Sequence, residues 1–218
     1  MIAALAAAVA WLGANPGTFA AALGDHLLLS AVGLGIGIAI ALPLGMMVAR
    51  RPAVAEAAIT VAGLLRTLPS LAVLAALLPL LGVGFSPAVV ALALVALPPV
   101  LVNTVIGLRG VDAEALDAAT GLGLTAWQRL RQVELPLAAP MVFAGLRIAA
   151  VQVVSGAALA TFIGGGGLGD LVTQGVALLN IGQLLVGAIA IAALALGIEF
   201  GLGRVERGVA RRSGGRGG

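Results

Sequence analysis

Very few residues in this sequence have side chains that could carry out chemistry. The sequence contains no cysteine and no lysine, and its one histidine is His26. Disulfides, thiolate metal sites and cysteine nucleophiles are therefore excluded, and a histidine-based metal or catalytic site is not expected. A P-loop needs a lysine to bind the phosphates of ATP, and the sequence has no lysine. We expect a chain that is not an enzyme, holds no cofactor or metal, and does not hydrolyse ATP itself.

One glycine-rich stretch has the spacing of a nucleotide-binding motif. Gly164, Gly166 and Gly169 match the GxGxxG pattern of dinucleotide-binding sites. That site requires a preceding strand and a βαβ unit, and the surrounding apolar sequence offers neither. Two interpretations of residues Gly164–Asp170 stay open: an outer loop that permits close helix approach, and a segment that contacts a binding protein or gates an outer opening.

The composition shows where the chain must reside. Hydrophobic residues make up 61% of the sequence, charged residues 10%, and the mean hydropathy is +1.17. A soluble domain has about a quarter of its residues charged. The sequence therefore predicts an integral membrane protein of the all-α class, a polytopic helical bundle whose 218 residues form one domain without a separate soluble part.

Five segments are apolar enough to be membrane spans, and a short helix precedes them at residues 1–12. The five are Leu27–Val48, Leu68–Val83, Ala88–Leu108, Met141–Ile163 and Leu184–Gly203. The second is short against the roughly 20 residues that a span needs, so we expect irregular backbone there. Pro98-Pro99 is predicted to interrupt the third. Small residues recur every four positions in the first, at Gly33, Gly37, Ala41 and Gly45, and predict close helix approach.

The arginines give the orientation. With five spans and the N-terminus outside, nearly all of them fall on one side, including the basic tail 204–218, whereas Asp25, His26 and Asp170 fall on the other. Basic residues collect on the cytoplasmic side. We therefore expect an N-out, C-in protein with His26 exposed at an outer helix end.

The stretch Val111–Pro136 is polar and lies between two spans, which this orientation places in the cytoplasm. Asp112 is the expected N-cap of a first helix that Gly121 and Gly123 end. Thr125 and Gln128 have the capping-box spacing for a second helix, which Leu135-Pro136 is expected to close. An apolar ridge is predicted on the two helices, formed by Leu116, Ala119, Trp127, Leu130 and Val133. Such a rigid projection suits docking on a cytoplasmic partner; an ordinary solvated connection is the alternative.

The same stretch resembles a known motif. Asp117-Ala118-Ala119, Gly123 and Val133-Glu134-Leu135-Pro136 have the spacing of the EAA loop in membrane subunits of binding-protein-dependent ABC importers, with Asp in place of Glu and Val in place of Ile. Three further stretches look like the branch that imports quaternary-amine osmoprotectants: residues 66–72 (RTLPSLA), 98–104 (PPVLVNT) and 162–170 (FIGGGGLGD). The resemblance covers roughly residues 27–203.

This resemblance implies a type I ABC importer permease in the plasma membrane of a bacterial-type cell. It implies two permease subunits, a separate ATPase that holds ATP and Mg²⁺, and an extracytoplasmic substrate-binding protein, with glycine betaine, choline, carnitine or proline as the solute. We expect the two permeases to form a homodimer, and a heterodimer of related permeases is the alternative. The residues it assigns to coupling with the ATPase are Asp117, Ala118, Ala119, Gly123, Val133, Leu135 and Pro136.

Polar residues inside the spans are the remaining candidates. Asn103, Thr104, Gln152 and Ser155 either line a solute path or join helices to one another. Arg147 either extends to the cytoplasmic interface or pairs with Glu199. A stand-alone secondary transporter or channel is the rival function, since broken spans are typical of it as well; it would need more ionisable residues deep in its spans than this chain has.

Overall fold

The structure is a computed structural model that describes residues 2–67 and 70–214. Every regular element in these ranges is helical. The helices are α1 (Ile2–Ala14), α2 (Pro16–Ala49), α3 (Pro52–Thr67), α4 (Ser70–Leu81), α5 (Phe85–Arg109), α6 (Ala113–Gly121), α7 (Ala126–Arg129), α8 (Leu135–Gly156), α9 (Leu168–Ala177) and α10 (Ile181–Gly214). A π turn (Leu130–Glu134) joins α7 to α8, and a 3₁₀ segment (Ala157–Ile163) follows α8. The predicted all-α class is confirmed.

Four helical segments in the described ranges are long and apolar enough to cross a membrane: Pro16–Ala49, Phe85–Arg109, Ala126–Ile163 and Ile181–Arg211. They contain the first, third, fourth and fifth predicted spans. The second predicted span begins at Leu68 and Pro69, which lie outside the described residues, and the helix that follows them, α4, has only 12 residues. The count of five spans stays a prediction.

The chain divides into two compact units. Unit 1 consists of Met1–Gly37, Leu68–Ala96 and Ala150–Ile198, and unit 2 of Ile38–Thr67, Leu97–Ala149 and Glu199–Gly218. A core cluster in unit 1 contains Ala8, Ala22, Leu168, Leu171 and Val186. A core cluster in unit 2 contains Ala49, Ala55, Val105, Leu108, Leu130, Ala138 and Val142.

The small-residue stripe of α2 packs directly on α5, as predicted. In unit 1, a Cβ atom added at Gly37 would lie 2.5 Å from the Cβ of Ala96. In unit 2, a Cβ added at Gly45 would lie 2.8 Å from the Cβ of Thr104. Both distances are too short for any real side chain, so the two helices approach as closely as their backbones allow.

Pro98 and Pro99 do not interrupt α5, contrary to the prediction. The helix runs unbroken from Phe85 to Arg109 with both prolines inside it. In unit 2, α8 covers this stretch, because a Cβ added at Gly145 would lie 2.7 Å from the carbonyl oxygen of Pro99. The amide Nδ2 of Asn103 donates to the same oxygen at 2.8 Å. Neighbouring helices and side chains of this kind let membrane helices contain proline.

Candidate functional site: the polar loop and the polar residues of the spans

The polar loop, residues Val111–Pro136, begins with helix α6. The Oδ1 atom of Asp112 accepts a hydrogen bond from the backbone N–H of Glu114 at 3.0 Å. This is the predicted N-cap, and it satisfies one of the N–H groups that a helix start leaves without a partner. The start of α6 therefore follows from Asp112, as expected from the sequence.

A glycine turn links α6 to α7. Gly123 has a φ of +77°, a conformation that strains any residue with a Cβ. Its N–H donates to the carbonyl of Thr120 at 3.0 Å, and the N–H of Leu124 donates to that of Ala119 at 3.2 Å. No other atom lies within 4 Å of the position that a Cβ would occupy. The backbone conformation, and not a lack of space, therefore requires glycine at this position.

The second helix of the loop starts with the predicted capping box. The N–H of Thr125 donates to Oε1 of Gln128 at 2.8 Å, and the N–H of Gln128 donates to Oγ1 of Thr125 at 3.3 Å. These reciprocal bonds satisfy two N–H groups at the helix start. Both hydrogen bonds of the predicted capping box are therefore present.

Leu135-Pro136 does not close this second helix, and the prediction is wrong at this point. The chain passes from α7 through the π turn into α8, so one helical rod extends from Ala126 to Ile163. The N–H of Leu135 donates to the carbonyl of Leu130, five residues back, which is the wide spacing of a π turn. We attribute the continuity to this wide turn, because it makes room for a proline ring that would clash with the carbonyl four residues back in an α-helix.

A buried carboxylate that sequence reasoning missed anchors the loop within unit 2. Glu134 is 8% exposed and accepts a hydrogen bond from Nε of Arg129 at 3.0 Å. Nη1 of Arg129 donates to Oγ1 of Thr120 in α6 at 3.3 Å. Nη2 of Arg50, which follows α2, lies 4.0 Å from Oε2 of Glu134 and donates to the carbonyl of Ala126 at 3.4 Å. Since a buried charge is tolerated only when paired, this network fixes the loop against the end of α2.

The ion pair between Arg129 and Glu134 could not be predicted from α-helical spacing. Arg129 and Glu134 are five residues apart, whereas side chains on an α-helix meet at separations of three or four. The π turn between them changes that spacing and brings the two charges together. The pair is therefore a consequence of the same turn that carries the helix past Pro136.

The predicted apolar ridge is divided between the interior and the surface. Ala119 and Leu130 are buried, and Leu130 belongs to the core of unit 2. Trp127 is 66% exposed and Leu122 is 80% exposed. The apolar surface of the loop thus lies mainly at Leu122 and Trp127. Of the expected coupling residues, Asp117, Ala118, Gly123 and Pro136 are exposed, Val133 and Leu135 are partly buried, and Ala119 is buried.

Two of the candidate path residues lie in unit 2, next to one another on α5. Thr104 is fully buried and donates to the carbonyl of Val100 at 2.7 Å, in the contact with Gly45 described above. Asn103 is only partly buried; its amide nitrogen is bonded to Pro99, which leaves its side-chain oxygen available. Thr104 therefore serves helix packing, while Asn103 keeps an acceptor for another partner.

The other two candidate path residues lie in unit 1, one turn apart on α8. Gln152 is partly buried and Ser155 is exposed. Neither side chain hydrogen-bonds to any residue in the described ranges. They present polar groups from one helix, and their role in a solute path stays a prediction.

Arg147 pairs with two glutamates in unit 2. Its Nη1 contacts Oε1 of Glu199, and its Nε donates to Oε2 of Glu206 at 2.8 Å. Both glutamates lie on α10, seven residues apart, so they occupy nearby positions two turns along the helix. Of the two interpretations left open for Arg147, the structure shows the ion pair, extended by Glu206, which the sequence did not indicate.

His26 is buried within unit 1, contrary to the expectation of an exposed residue. Its exposure is 0%, and Nε2 lies 3.0 Å from the carbonyl oxygen of Val154. Because a carbonyl can only accept, the ring proton sits on Nε2. On the other side of the ring, a Cβ added at Gly167 would lie 3.3 Å from Nδ1. His26 therefore joins α2 to the end of α8 and to the glycine segment.

The glycine segment is shorter than predicted, because α9 begins at Leu168 and already includes Asp170. Oγ1 of Thr161 donates to Oδ1 of Asp170, which holds the start of α9 on the 3₁₀ segment. A Cβ at Gly169 would lie 2.1 Å from the carbonyl oxygen of Ala158, so this glycine permits close backbone approach. A gating role for the segment stays a prediction.

No cluster of three potential metal ligands occurs among the residues that the structure describes. The sequence profile of the family described as "Binding-protein-dependent transport system inner membrane component" matches residues 41–211.

Two relatives each align with this chain over most of its length and most of their own. The chain is 46% identical over 184 residues to the carnitine transport permease protein OpuCB of Listeria monocytogenes, covering 84% of each chain. It is 40% identical to the glycine betaine/carnitine/choline transport system permease protein OpuCB of Bacillus subtilis, covering 91% of this chain and 92% of that one.

Among solved structures, the fold matches two ABC transporters. One chain of the inward-facing MetNI methionine ABC transporter aligns with a TM-score of 0.76 at 23% identity, over 88% of this chain and 95% of that chain. An amino acid ABC transporter determined with histidines gives a TM-score of 0.72 at 22% identity, over 92% and 97%. The rival function, a stand-alone secondary transporter or channel, finds no support in these matches. The chain belongs to the family of inner membrane components of binding-protein-dependent transport systems, the permease subunits of ABC importers.

Proposed function

We propose that this permease carries a small quaternary-amine osmoprotectant across the membrane by alternating access, driven by a separate ATPase. The solute class is proposed from sequence identity to two relatives, each aligned over more than four fifths of the chain. The chain is 46% identical to a permease named for carnitine transport and 40% identical to one named for glycine betaine, carnitine and choline transport. Recognition of a quaternary ammonium usually requires aromatic side chains, and the chain has only two Trp, five Phe and no Tyr. Selection of the solute therefore falls mainly to the binding protein.

The polar loop is the proposed docking element for the ATPase, which holds ATP and Mg²⁺. Its exposed residues Leu122, Gly123 and Trp127 form the contact surface, together with Asp117 and Ala118, while the buried Ala119 supports them from the interior. The rod from Ala126 to Ile163 supports this role, because a displacement of the docked loop reaches the span without crossing a flexible connection. The loop lies in the cytoplasm in the proposed N-out, C-in orientation.

Two copies of the permease form the path in this proposal, since one chain offers few spans with which to enclose a solute. Asn103, Thr104, Gln152 and Ser155 are the proposed polar positions along the path. Among these, Asn103, Gln152 and Ser155 have groups available for a passing solute, and Thr104 supports the path through its contact with α2.

The coupling role is tested by replacing Gly123 with leucine. A leucine at a φ of +77° is strained, and its side chain projects from the docking surface, so ATPase association should weaken. A loss of about 1.4 kcal/mol of docking free energy corresponds to a tenfold weaker association. We expect Gly123→Leu to insert normally, to lose co-purifying ATPase, and to lower uptake of labelled glycine betaine, carnitine and choline about tenfold.

The matched control is Gly63→Leu on α3, where a Cβ also meets no atom within 4 Å but the backbone has no positive φ. Wild-type uptake is expected for it. Normal uptake by Gly123→Leu, or uptake by the chain in cells that lack the ATPase, would overturn the coupling role. Transport of none of the three solutes by an otherwise active complex would overturn the solute class.

A further inference from the structure

A groove in unit 2 lies beside the polar loop and shares only Trp127 with the proposed ATPase contact surface. It has a volume of about 670 Å³. Its walls come from the end of α2, the start of α3 and the helix α7, and its lining includes Met46, Met47, Arg50, Arg51, Val54 and Trp127. Met47 is 70% exposed and Trp127 66% exposed, so large apolar side chains face an open space here.

We infer that this groove binds one anionic phospholipid, with its phosphate at Arg51 and its acyl chain along the end of α2. The apolar part of the groove starts at Pro43 and runs to Val48, inside a segment apolar enough to span the membrane. At 1.5 Å per residue this part is about 8 Å long. A soluble protein cannot enter the hydrocarbon layer to that depth, whereas an acyl chain already lies in it.

The polar rim of the groove is at the level of lipid headgroups. Arg50 and Arg51 directly follow Ala49, the last residue of α2, and so lie at the polar end of this apolar segment. Arginine is attracted to anionic lipids at this position, and tryptophan concentrates in the same layer. The arrangement of apolar floor, paired arginines and Trp127 thus follows the layers of one leaflet.

The rim carries uncompensated positive charge, which suits an anionic lipid headgroup. Arg50 is already engaged by Glu134 and by the carbonyl of Ala126. Arg51 is exposed and makes no ion pair with any residue in the described ranges. It also precedes the first turn of α3, a helix of 16 residues whose unbonded N–H groups add partial positive charge. Glu134 also pairs with Arg129 at 3.0 Å, so its one negative charge offsets only one of these arginines. The rim therefore keeps a net positive charge, which a phosphatidylglycerol headgroup would partly neutralise.

Binding is measured by native mass spectrometry of the purified transporter after exchange into a 1:1 mixture of dioleoyl phosphatidylglycerol and dioleoyl phosphatidylcholine. We expect phosphatidylglycerol adducts to exceed phosphatidylcholine adducts, and Arg51→Gln to weaken the phosphatidylglycerol adduct about fivefold. Arg66→Gln is the matched control, since Arg66 is exposed at the other end of α3 and does not line the groove. Equal adducts of both lipids, or equal losses in both variants, would overturn the inference.

A photoreactive benzoylphenylalanine in place of Met47 identifies the occupant in the assembled transporter. Capture of phosphatidylglycerol supports the lipid site, and capture of the ATPase in its place refutes it. Lipid adducts are counted on the permease whether or not the ATPase co-purifies, so failure of the coupling proposal and failure of the lipid site are separate outcomes. Loss of the ATPase from Arg51→Gln with unchanged lipid adducts would likewise reject the lipid site.

Discussion

The ion-pair cluster of Arg147, Glu199 and Glu206 allows a quantitative test of how unit 2 is held together. One guanidinium on α8 contacts two carboxylates on α10, and the side-chain exposures are 27% for Arg147, 24% for Glu206 and 41% for Glu199. The two pairs share the arginine and differ in exposure. We therefore expect Glu206 to contribute more to stability than Glu199.

The expected magnitudes lie between two limits. Two unit charges about 4 Å apart attract by about 4 kcal/mol at an effective dielectric constant of about 20, and desolvation offsets most of this. Exposed pairs are worth about 0.2–1 kcal/mol and hydrogen bonds to charged groups about 1.5–3 kcal/mol. For Arg147 and Glu206 we expect a coupling free energy of about 1–2 kcal/mol. For Glu199, which is more than a third exposed, solvent screening should reduce the coupling below about 1 kcal/mol.

The measurement is a double-mutant cycle on the free energy of unfolding, obtained by titrating sodium dodecyl sulfate into mixed micelles. One cycle combines Arg147→Met with Glu206→Gln, and the second combines Arg147→Met with Glu199→Gln. Arg147→Met alone should be the most damaging single change, because it leaves two carboxylates without their partner. Glu56→Gln is the control, since Glu56 is exposed and has no ion pair among the described residues.

The reasoning from burial would be refuted by equal coupling energies in the two cycles, or by a larger value for Glu199. Zero coupling in both cycles would mean that the cluster is fully solvated in the micelle. A further check is Arg147→Lys, which keeps the charge but replaces the two separate nitrogen donors by one. It should retain one of the two pairs at most and therefore lose part of the stability.

Two other substitutions test helix packing and the buried histidine. Gly145→Ala should lower the free energy of unfolding by about 1–3 kcal/mol, because the new Cβ would lie 2.6 Å from the Cβ of Asn103. Gly197→Ala is the control, since no atom lies within 4 Å of its new Cβ, and it should leave the free energy of unfolding unchanged in the same assay. Equal effects of the two substitutions would contradict the packing account. His26→Phe keeps an aromatic ring but removes the bond to the carbonyl of Val154, so it should cost about 1–3 kcal/mol; an unchanged stability would show that this bond contributes nothing.

The features that could be predicted from the sequence depend on residues near one another in the chain. Asp112 caps α6 through an N–H two residues away, and the box at Thr125 and Gln128 spans three residues. The small-residue stripe of α2 is likewise a pattern within one helix. In each case the physical cause is contained in a few consecutive residues, so local chemistry suffices to predict the result.

The features that could not be predicted depend on distant parts of the chain or on an unusual turn. His26 is buried because of Val154, 128 residues later, and its polarity suggested a helix end. The first span consequently appeared to begin at Leu27, although α2 begins at Pro16. Proline rules predicted breaks at Pro98 and Pro136, but α8 packing at the first and the π turn at the second keep the helices continuous.

Unit 2 contains the means by which a force on the polar loop can reach several helices. The loop is continuous with α8 through the π turn, and the ion pair between Glu134 and Arg50 ties it to the end of α2. Helix α5 in turn contacts α2 at Gly45 and α8 at Gly145, where the glycines contribute no side chain and the helices approach closely. Tightly packed contacts of this type transmit displacement rather than absorb it. A partner that moves the loop would therefore move the unit 2 parts of α2, α5 and α8 together, which is what alternating access requires of a subunit that has no energy source of its own.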